Sequence, residues 1–190
     1  IEIKHDDYSA WYSRGVALNH LEKYEDAIAD FDKAIEIKPD DYSAWFSRGV
    51  ALNHLEKYED EVASLNKAIE IKPDEYDAWY KRGIELFNLE KYEDAVASCK
   101  KAIEIKPDEY IAWHNRGNAL FNLERYEDAI ASYNKAIEIK PDDYDTWFER
   151  GSALFNLERY EEAAAVYNKA IEIKPGDYYA WNNQGIALGN

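Results

Sequence analysis

His20 and His54 occupy equivalent places in two near-identical stretches, "RGVALNHLEKYED" at 14–26 and 48–60. Two facing imidazoles could share a metal ion. A zinc site, however, needs three or four nitrogen, sulfur or carboxylate ligands, and no cysteine or third histidine joins this pair at ligand spacing. Both histidines are therefore read as solvated turn residues. His114 follows Trp113, where equivalent stretches carry Tyr12, Phe46, Tyr80 and Phe148, so it is assigned to a binding wall rather than to catalysis. His5 stands where the equivalent stretches have proline and reads as an atypical end.

The other reactive groups give no better constellation. Carboxylates number 39, so neighbouring pairs are expected throughout. The "PDDY" stretches lack the alternating Asp or Asn and central Gly of a calcium loop. The single cysteine, Cys99, can form no internal disulfide, excludes a multi-cysteine metal site and fits a reducing compartment. Gly15, Gly49, Gly83, Gly117, Gly151 and Gly185 are evenly spread, which is a packing pattern and not a phosphate-binding loop. No serine stands in a recognisable order with a histidine and an acid. The chain is read as a non-enzyme with no cofactor and no metal.

Formal net charge is −16 over 190 residues. Phosphate-rich partners need a basic surface, so neither nucleic acid nor an anionic membrane is expected as a partner. A neutral or basic ligand is favoured. Apolar runs are too short to span a bilayer, and no signal segment opens the sequence, so a cytoplasmic location is expected. Methionine is absent, position 1 included, which reads as a piece of a longer protein.

The elements that position these residues follow from a repeat. "PDDYSAW" from Pro39 returns as "PDEYDAW", "PDEYIAW", "PDDYDTW" and "PGDYYAW" from Pro73, Pro107, Pro141 and Pro175, an interval of 34 residues. One array is expected over 1–190. Residues 1–7 end a preceding repeat, 8–41, 42–75, 76–109, 110–143 and 144–177 are whole repeats, and 178–190 are the first helix of a further one.

Each repeat predicts two helices, near 8–20 and 25–37 in the first copy, with a turn near 21–24. Asp6 and Asp7 can cap the first helix. Trp11, Gly15 and Leu18 share one face of it, at spacings of 4 and 3. Ala27, Ile28, Phe31, Ala34 and Ile35 form a stripe on the second helix, which Pro39 stops for want of a backbone donor. Helices this short do not stand alone in water, so neighbouring repeats must bury one another's apolar faces. Trp45, Trp79, Trp113 and Trp147 are expected to be largely buried against the preceding second helix, and Gly49, Gly83, Gly117 and Gly151 to lie at close crossings.

The period, with Trp11, Gly15, Tyr24, Ala27, Phe31, Ala34 and Pro39, resembles the tetratricopeptide repeat family across nearly the whole chain. The resemblance implies an all-α, right-handed superhelical solenoid of antiparallel helix pairs. It also implies a concave groove lined mainly by first helices. There are departures. Arg14, Arg48, Arg82, Arg116 and Arg150, then Gln184, precede the glycines where the family often has Leu. Their stems are expected to pack while their heads meet carboxylates. Glu61 replaces the small residue found as Ala27, Ala95, Ala129 and Ala163, and a local distortion is expected there.

The wall implied by the resemblance comprises Tyr12, Val16, Phe46, Val50, Tyr80, Ile84, Phe87, His114, Asn118, Phe121, Phe148, Ser152 and Phe155, partly exposed. Core packing is the competing role, above all for the last row. That row changes from Asn19 and Asn53 to Phe87, Phe121 and Phe155, so an apolar ligand should prefer the C-terminal half. Chaperone-binding members of the family grip a terminal carboxylate with Lys and Asn. Here the matching places are apolar or aromatic and only Asn118 retains the type, so such a clamp is not expected. The expected function is a scaffold that binds a peptide or helix of a partner protein. The alternatives are head-to-tail self-assembly through the ends, or a regulatory or targeting domain of a larger protein.

Overall fold

The computed structural model describes residues 6–190, which form eleven α-helices and no strand. Readings that fall on residues 1–5, His5 among them, lie outside the described residues. The helices are α1 (Tyr8–His20), α2 (Tyr24–Ile37), α3 (Tyr42–His54), α4 (Tyr58–Ile71), α5 (Tyr76–Asn88), α6 (Tyr92–Ile105), α7 (Tyr110–Asn122), α8 (Tyr126–Ile139), α9 (Tyr144–Asn156), α10 (Tyr160–Ile173) and α11 (Tyr178–Leu188). They fall into two compact units, Ile1–Lys91 with α1–α5 and Tyr92–Asn190 with α6–α11. Within each unit every helix packs on the next in sequence.

The recurring "PDxYxxW" is a junction in which each residue has a task. Proline ends the second helix, and its carbonyl accepts the indole N–H of the tryptophan six residues on. Trp45 donates to Pro39, Trp79 to Pro73 and Trp147 to Pro141 at 2.8 Å, and Trp113 to Pro107 at 2.9 Å. The tryptophans are consequently half-buried rather than enclosed as expected, because the indole edge must reach a backbone carbonyl in an exposed turn. Their rings still pack inward, Trp45 and Trp79 on the cluster around Leu65 and Trp147 on those around Tyr167 and Ile171.

The acid of the junction caps the following helix. Asp41 accepts from the Ala44 amide at 3.2 Å and from Lys38 Nζ at 2.8 Å, and the Lys38 ammonium lies over the Tyr8 ring. The same set recurs as Lys140, Asp143 and Tyr110. Burial opposes ionisation of Asp41, but hydrogen bonds from Lys38, Tyr8 and the Ala44 amide outweigh it and hold the carboxyl below its ordinary range. Glu75 and Glu109 stand at the same place without a side-chain cap.

Between the two helices of a pair, the chain turns through a left-handed residue. Glu22, Glu56, Glu90, Glu124 and Glu158 have φ between 57° and 59°. The Lys23 amide donates to Leu18 O at 2.9 Å and the Glu22 amide to Asn19 O at 3.1 Å. This is the doubly bonded helix end usually built on glycine; here an exposed glutamate takes it.

The core lies where helices cross. Ala27, Ala95, Ala129 and Ala163 on second helices, and Ala51, Ala119 and Ala153 on first helices, are wholly buried. Gly15, Gly117 and Gly151 face the rings of Phe31, Tyr133 and Tyr167, so closely that an added Cβ would collide; Gly49 faces Leu65 at an ordinary 3.5 Å.

Candidate binding faces

The first unit carries Tyr12, Val16, Phe46, Val50, Tyr80, Ile84 and Phe87, all half-buried. Tyr12 stacks on Tyr8 and leans on Phe31, with its hydroxyl 3.4 Å from Ser47 Oγ. Phe46 stacks on Tyr42, and Tyr80 on Tyr76. An aromatic residue thus opens each first helix and lies flat against the one that follows the tryptophan, four residues on. These rings present edges and part of a face to solvent while remaining fixed by their neighbours, which suits low-entropy contact with a ligand.

The second unit carries His114, Asn118, Phe121, Phe148, Ser152 and Phe155. All are half-buried except His114, which is buried. His114 was expected to be a partly exposed wall residue; hydrogen bonds draw it inside. The Tyr133 hydroxyl donates to Asn118 Oδ1 at 2.9 Å, orienting that amide so that Asn118 Nδ2 points at His114 Nε2, 3.0 Å away. His114 Nε2 is therefore the acceptor, and Nδ1–H donates to Thr146 Oγ1 at 2.8 Å. The Thr146 hydroxyl donates onward to Asp143 Oδ2 at 2.6 Å. Burial depresses the imidazole pKa, against the opposing charges of Asp143 and Asp145, and keeps the ring neutral. The chain of bonds joins α7, α8 and α9 and engages both ring nitrogens of His114, which ties the helices together.

Phe121 and Phe155 are held edge-on by Tyr126 and Tyr160, at 5.3 and 5.2 Å between centroids. They pack on the core and still keep a solvent-facing side. Beside Phe155 opens a cavity of about 330 Å³ lined by Ser152, Phe155, Asn156, Tyr167, Asn183 and Ile186, on α9, α10 and α11. The Tyr167 hydroxyl donates to Ser152 Oγ at 3.3 Å and Asn156 Nδ2 to the Ser152 carbonyl at 2.8 Å, and Asn183 adds a further amide to the polar lining. Sequence reasoning puts Ser152 and Phe155 in the wall and Ile186 in the same row as Val16 and Val50, although the expected wall stops short of it; Asn183 falls outside the expected rows. Counting from Trp181 by the same spacing that placed Val16 and Val50 puts Ile186 in their row.

The arginines before the glycines point elsewhere. Arg14 makes a two-pronged ion pair with Asp30. Arg48 meets Asp32 at 2.6 Å and Ser64 at 2.7 Å, Arg82 meets Asn66 at 2.6 Å, and Arg116 meets Ser132 at 3.1 Å. Carboxylates were expected at every head but are found at Arg14 and Arg48. The residue 16 positions away decides the partner, and its type changes along the chain. Arg14, Arg82, Arg116 and Arg150 also lie over their own tryptophan rings, 4.8–5.9 Å from the centroid. These are structural cation–π contacts.

The remaining candidates are engaged in packing. His54 stacks on Tyr24 at 4.4 Å. Cys99 is buried, and burial pushes its thiol up to about 12, away from reactivity. Among the described residues no group of three or more His, Cys, Asp or Glu could hold a metal ion, and no helix is long and apolar enough to cross a membrane.

Family models described as tetratricopeptide repeat match residues 8–41, 31–63, 72–110, 80–144 and 114–178. The chain belongs to the tetratricopeptide repeat family. No curated protein matches it. Among solved structures it is similar to YrrB, described as "a TPR protein with an unusual peptide-binding site", with TM-score 0.87 and 23% identity over 95% of this chain and 93% of that one. It is also similar to a MamA protein, with TM-score 0.86 and 20% identity over 88% and 92% of the two chains. A third similar structure is MamA residues 41 to the end from Desulfovibrio magneticus RS-1, with TM-score 0.83 and 19% identity over 90% and 97%. At these identities the likeness is one of fold.

Proposed function

We propose that the chain is a non-catalytic scaffold that binds a peptide or helix of a partner protein on its first-helix faces. The anchor is in the second unit. The observation that carries this is the cavity of about 330 Å³ beside Phe155, where Phe155, Tyr167 and Ile186 supply apolar lining and Ser152, Asn156 and Asn183 polar lining. Its size and lining suit one bulky apolar side chain whose flanking backbone meets the amides. The half-buried rings of Phe121 and Phe148 extend the apolar surface along the same unit. A formal charge of −16 favours a ligand with basic residues flanking the anchor. Within the first unit, Tyr12, Val16, Phe46, Val50, Tyr80, Ile84 and Phe87 are the corresponding candidates for ligand contact. The similarity in fold to a structure described as having a peptide-binding site supports the same reading.

A display selection of random peptides on the full chain tests it. Selected peptides should share a large apolar residue with basic neighbours, and Phe155→Ala plus Ile186→Ala should weaken them at least about tenfold. Selection of acidic or wholly polar peptides, or indifference to the double substitution, would count against the proposal.

A second reading, association between copies, rests on α11, where Tyr178, Tyr179, Trp181, Ile186 and Leu188 are exposed together. Light scattering against concentration separates the two. Growth in mass that Trp181→Ala and Leu188→Ala abolish would favour association, and a constant mass favours the scaffold.

A further inference from the structure

Two carboxylates interrupt columns that are otherwise alanine. Glu61 stands where Ala27, Ala95, Ala129 and Ala163 are buried, and Glu85 where Ala51, Ala119 and Ala153 are. The two meet in the first unit, Glu61 from α4 at 0% exposure and Glu85 from α5 at 4%. The acid expected to distort the second repeat does not interrupt α4, which runs the same 14 residues as α2. Hydrogen bonding accommodates the acid instead. Asn53 Nδ2 on α3 donates to Glu61 Oε2 at 3.0 Å and to Glu85 Oε1 at 2.9 Å. Asn88 Nδ2 donates to Glu85 Oε2 at 3.1 Å. Of the four carboxylate oxygens, Glu61 Oε1 is the one enclosed without a donor.

Such an arrangement is unfavourable with both acids ionised. Two negative charges share one amide in a weakly polarisable interior, and one oxygen has lost its water with nothing in exchange. A proton relieves both defects at once.

We propose that Glu61, Glu85 and Asn53 form a single-proton site joining α3, α4 and α5, with the proton on Glu61 Oε1, and that loss of this proton loosens the packing of α5 on α4. The groups facing the site are few. Lys81 on α5 favours the ionised forms of both acids, and the Tyr58 hydroxyl at the start of α4 feels both, together with Glu56 in the preceding turn. His54 ends α3 but is exposed and stacked on Tyr24. Burial is the largest influence on Glu61 and pushes its carboxyl up to about 7; the Asn53 hydrogen bond opposes this, and the Glu85 charge adds to it. Because the folded value lies above the unfolded one, the stabilisation is complete below the ordinary glutamate value of ~4.3 and is lost progressively as pH rises from there through about 7.

The test is a titration of the full chain with carbon-13-labelled glutamate carboxyls. One resonance should titrate near neutrality, vanish in Glu61→Gln, and move to lower pH in Glu85→Gln as the like charge goes. The Glu61→Ala plus Glu85→Ala variant places at both sites the residue that other repeats carry, so its fold is secure. Its urea midpoint should exceed that of the parent by more at about pH 8 than at about pH 5. Glutamates titrating only near their ordinary ~4.3, a neutral-range resonance that survives Glu61→Gln, or a midpoint difference constant with pH would each overturn the proposal.

Discussion

His114 Nδ1 lies 2.8 Å from Thr146 Oγ1, and that short bond across two helices decides what the histidine does. An imidazole facing solvent would be free to contact a ligand. This one is satisfied on both nitrogens, and burial holds its pKa below the usual value. A group that stays neutral when folded but charges when unfolded supports the fold fully above its unfolded pKa, and that support declines as pH falls toward the folded value. The second unit should therefore weaken as pH falls below about 6.5. His114→Gln should flatten that decline in urea unfolding. His114→Ala, which strands Thr146 and Asn118, should cost about 2–4 kcal/mol.

Gly117 and Gly49 share one place in the repeat yet should respond oppositely to alanine. At Gly117 the new Cβ meets the Tyr133 ring, itself fixed by Asn118, whereas at Gly49 it meets Leu65 at 3.5 Å. Gly117→Ala should destabilise by about 1–3 kcal/mol and Gly117→Leu by at least as much. Gly49→Ala should be neutral or gain up to about 1 kcal/mol from helix propensity. Equal costs in thermal unfolding would show that the aromatic ring yields.

Asp143 caps α9 through the Thr146 amide at 3.1 Å and also receives the Thr146 hydroxyl and Lys140. Burial opposes ionisation, yet these hydrogen bonds hold its carboxyl below the ordinary range. Its contribution is present above the unfolded pKa and is lost as pH falls through the lower folded value. Asp143→Ala should cost about 1–2 kcal/mol at neutral pH. The difference from the parent should close in strong acid, and a difference that persists there would assign the effect to packing.

The helices were legible because every repeat states them again. The tryptophan–glycine spacing, the stripe beginning Ala27 and the stop at Pro39 are local signals, and local signals repeated at a fixed period survive tertiary context. The half-burial of Trp45 and its relatives was not legible, since the hydrogen bond from indole to proline carbonyl depends on how the turn folds back. His114 went astray for a related reason. Its row position argued for a wall, but Thr146 replaces an alanine found at the five equivalent places, as Ala10, Ala44, Ala78, Ala112 and Ala180, and supplies a partner from the next helix pair. Glu61 was conspicuous in its column. Glu85 was equally anomalous in the alanine column of the first helices, but only the fold reveals that the two acids meet under Asn53.

The central claim, an apolar anchor site beside Phe155, is tested most directly by the affinity of a selected peptide for the parent and for Phe121→Ala plus Phe155→Ala. Helical content is measured on both by circular dichroism. The account predicts unchanged helicity and a loss of at least about tenfold in affinity, with the peptide's apolar residue contributing about 2 kcal/mol or more. Equal affinity for both proteins, or a peptide footprint confined to the second helices α8 and α10, would contradict it.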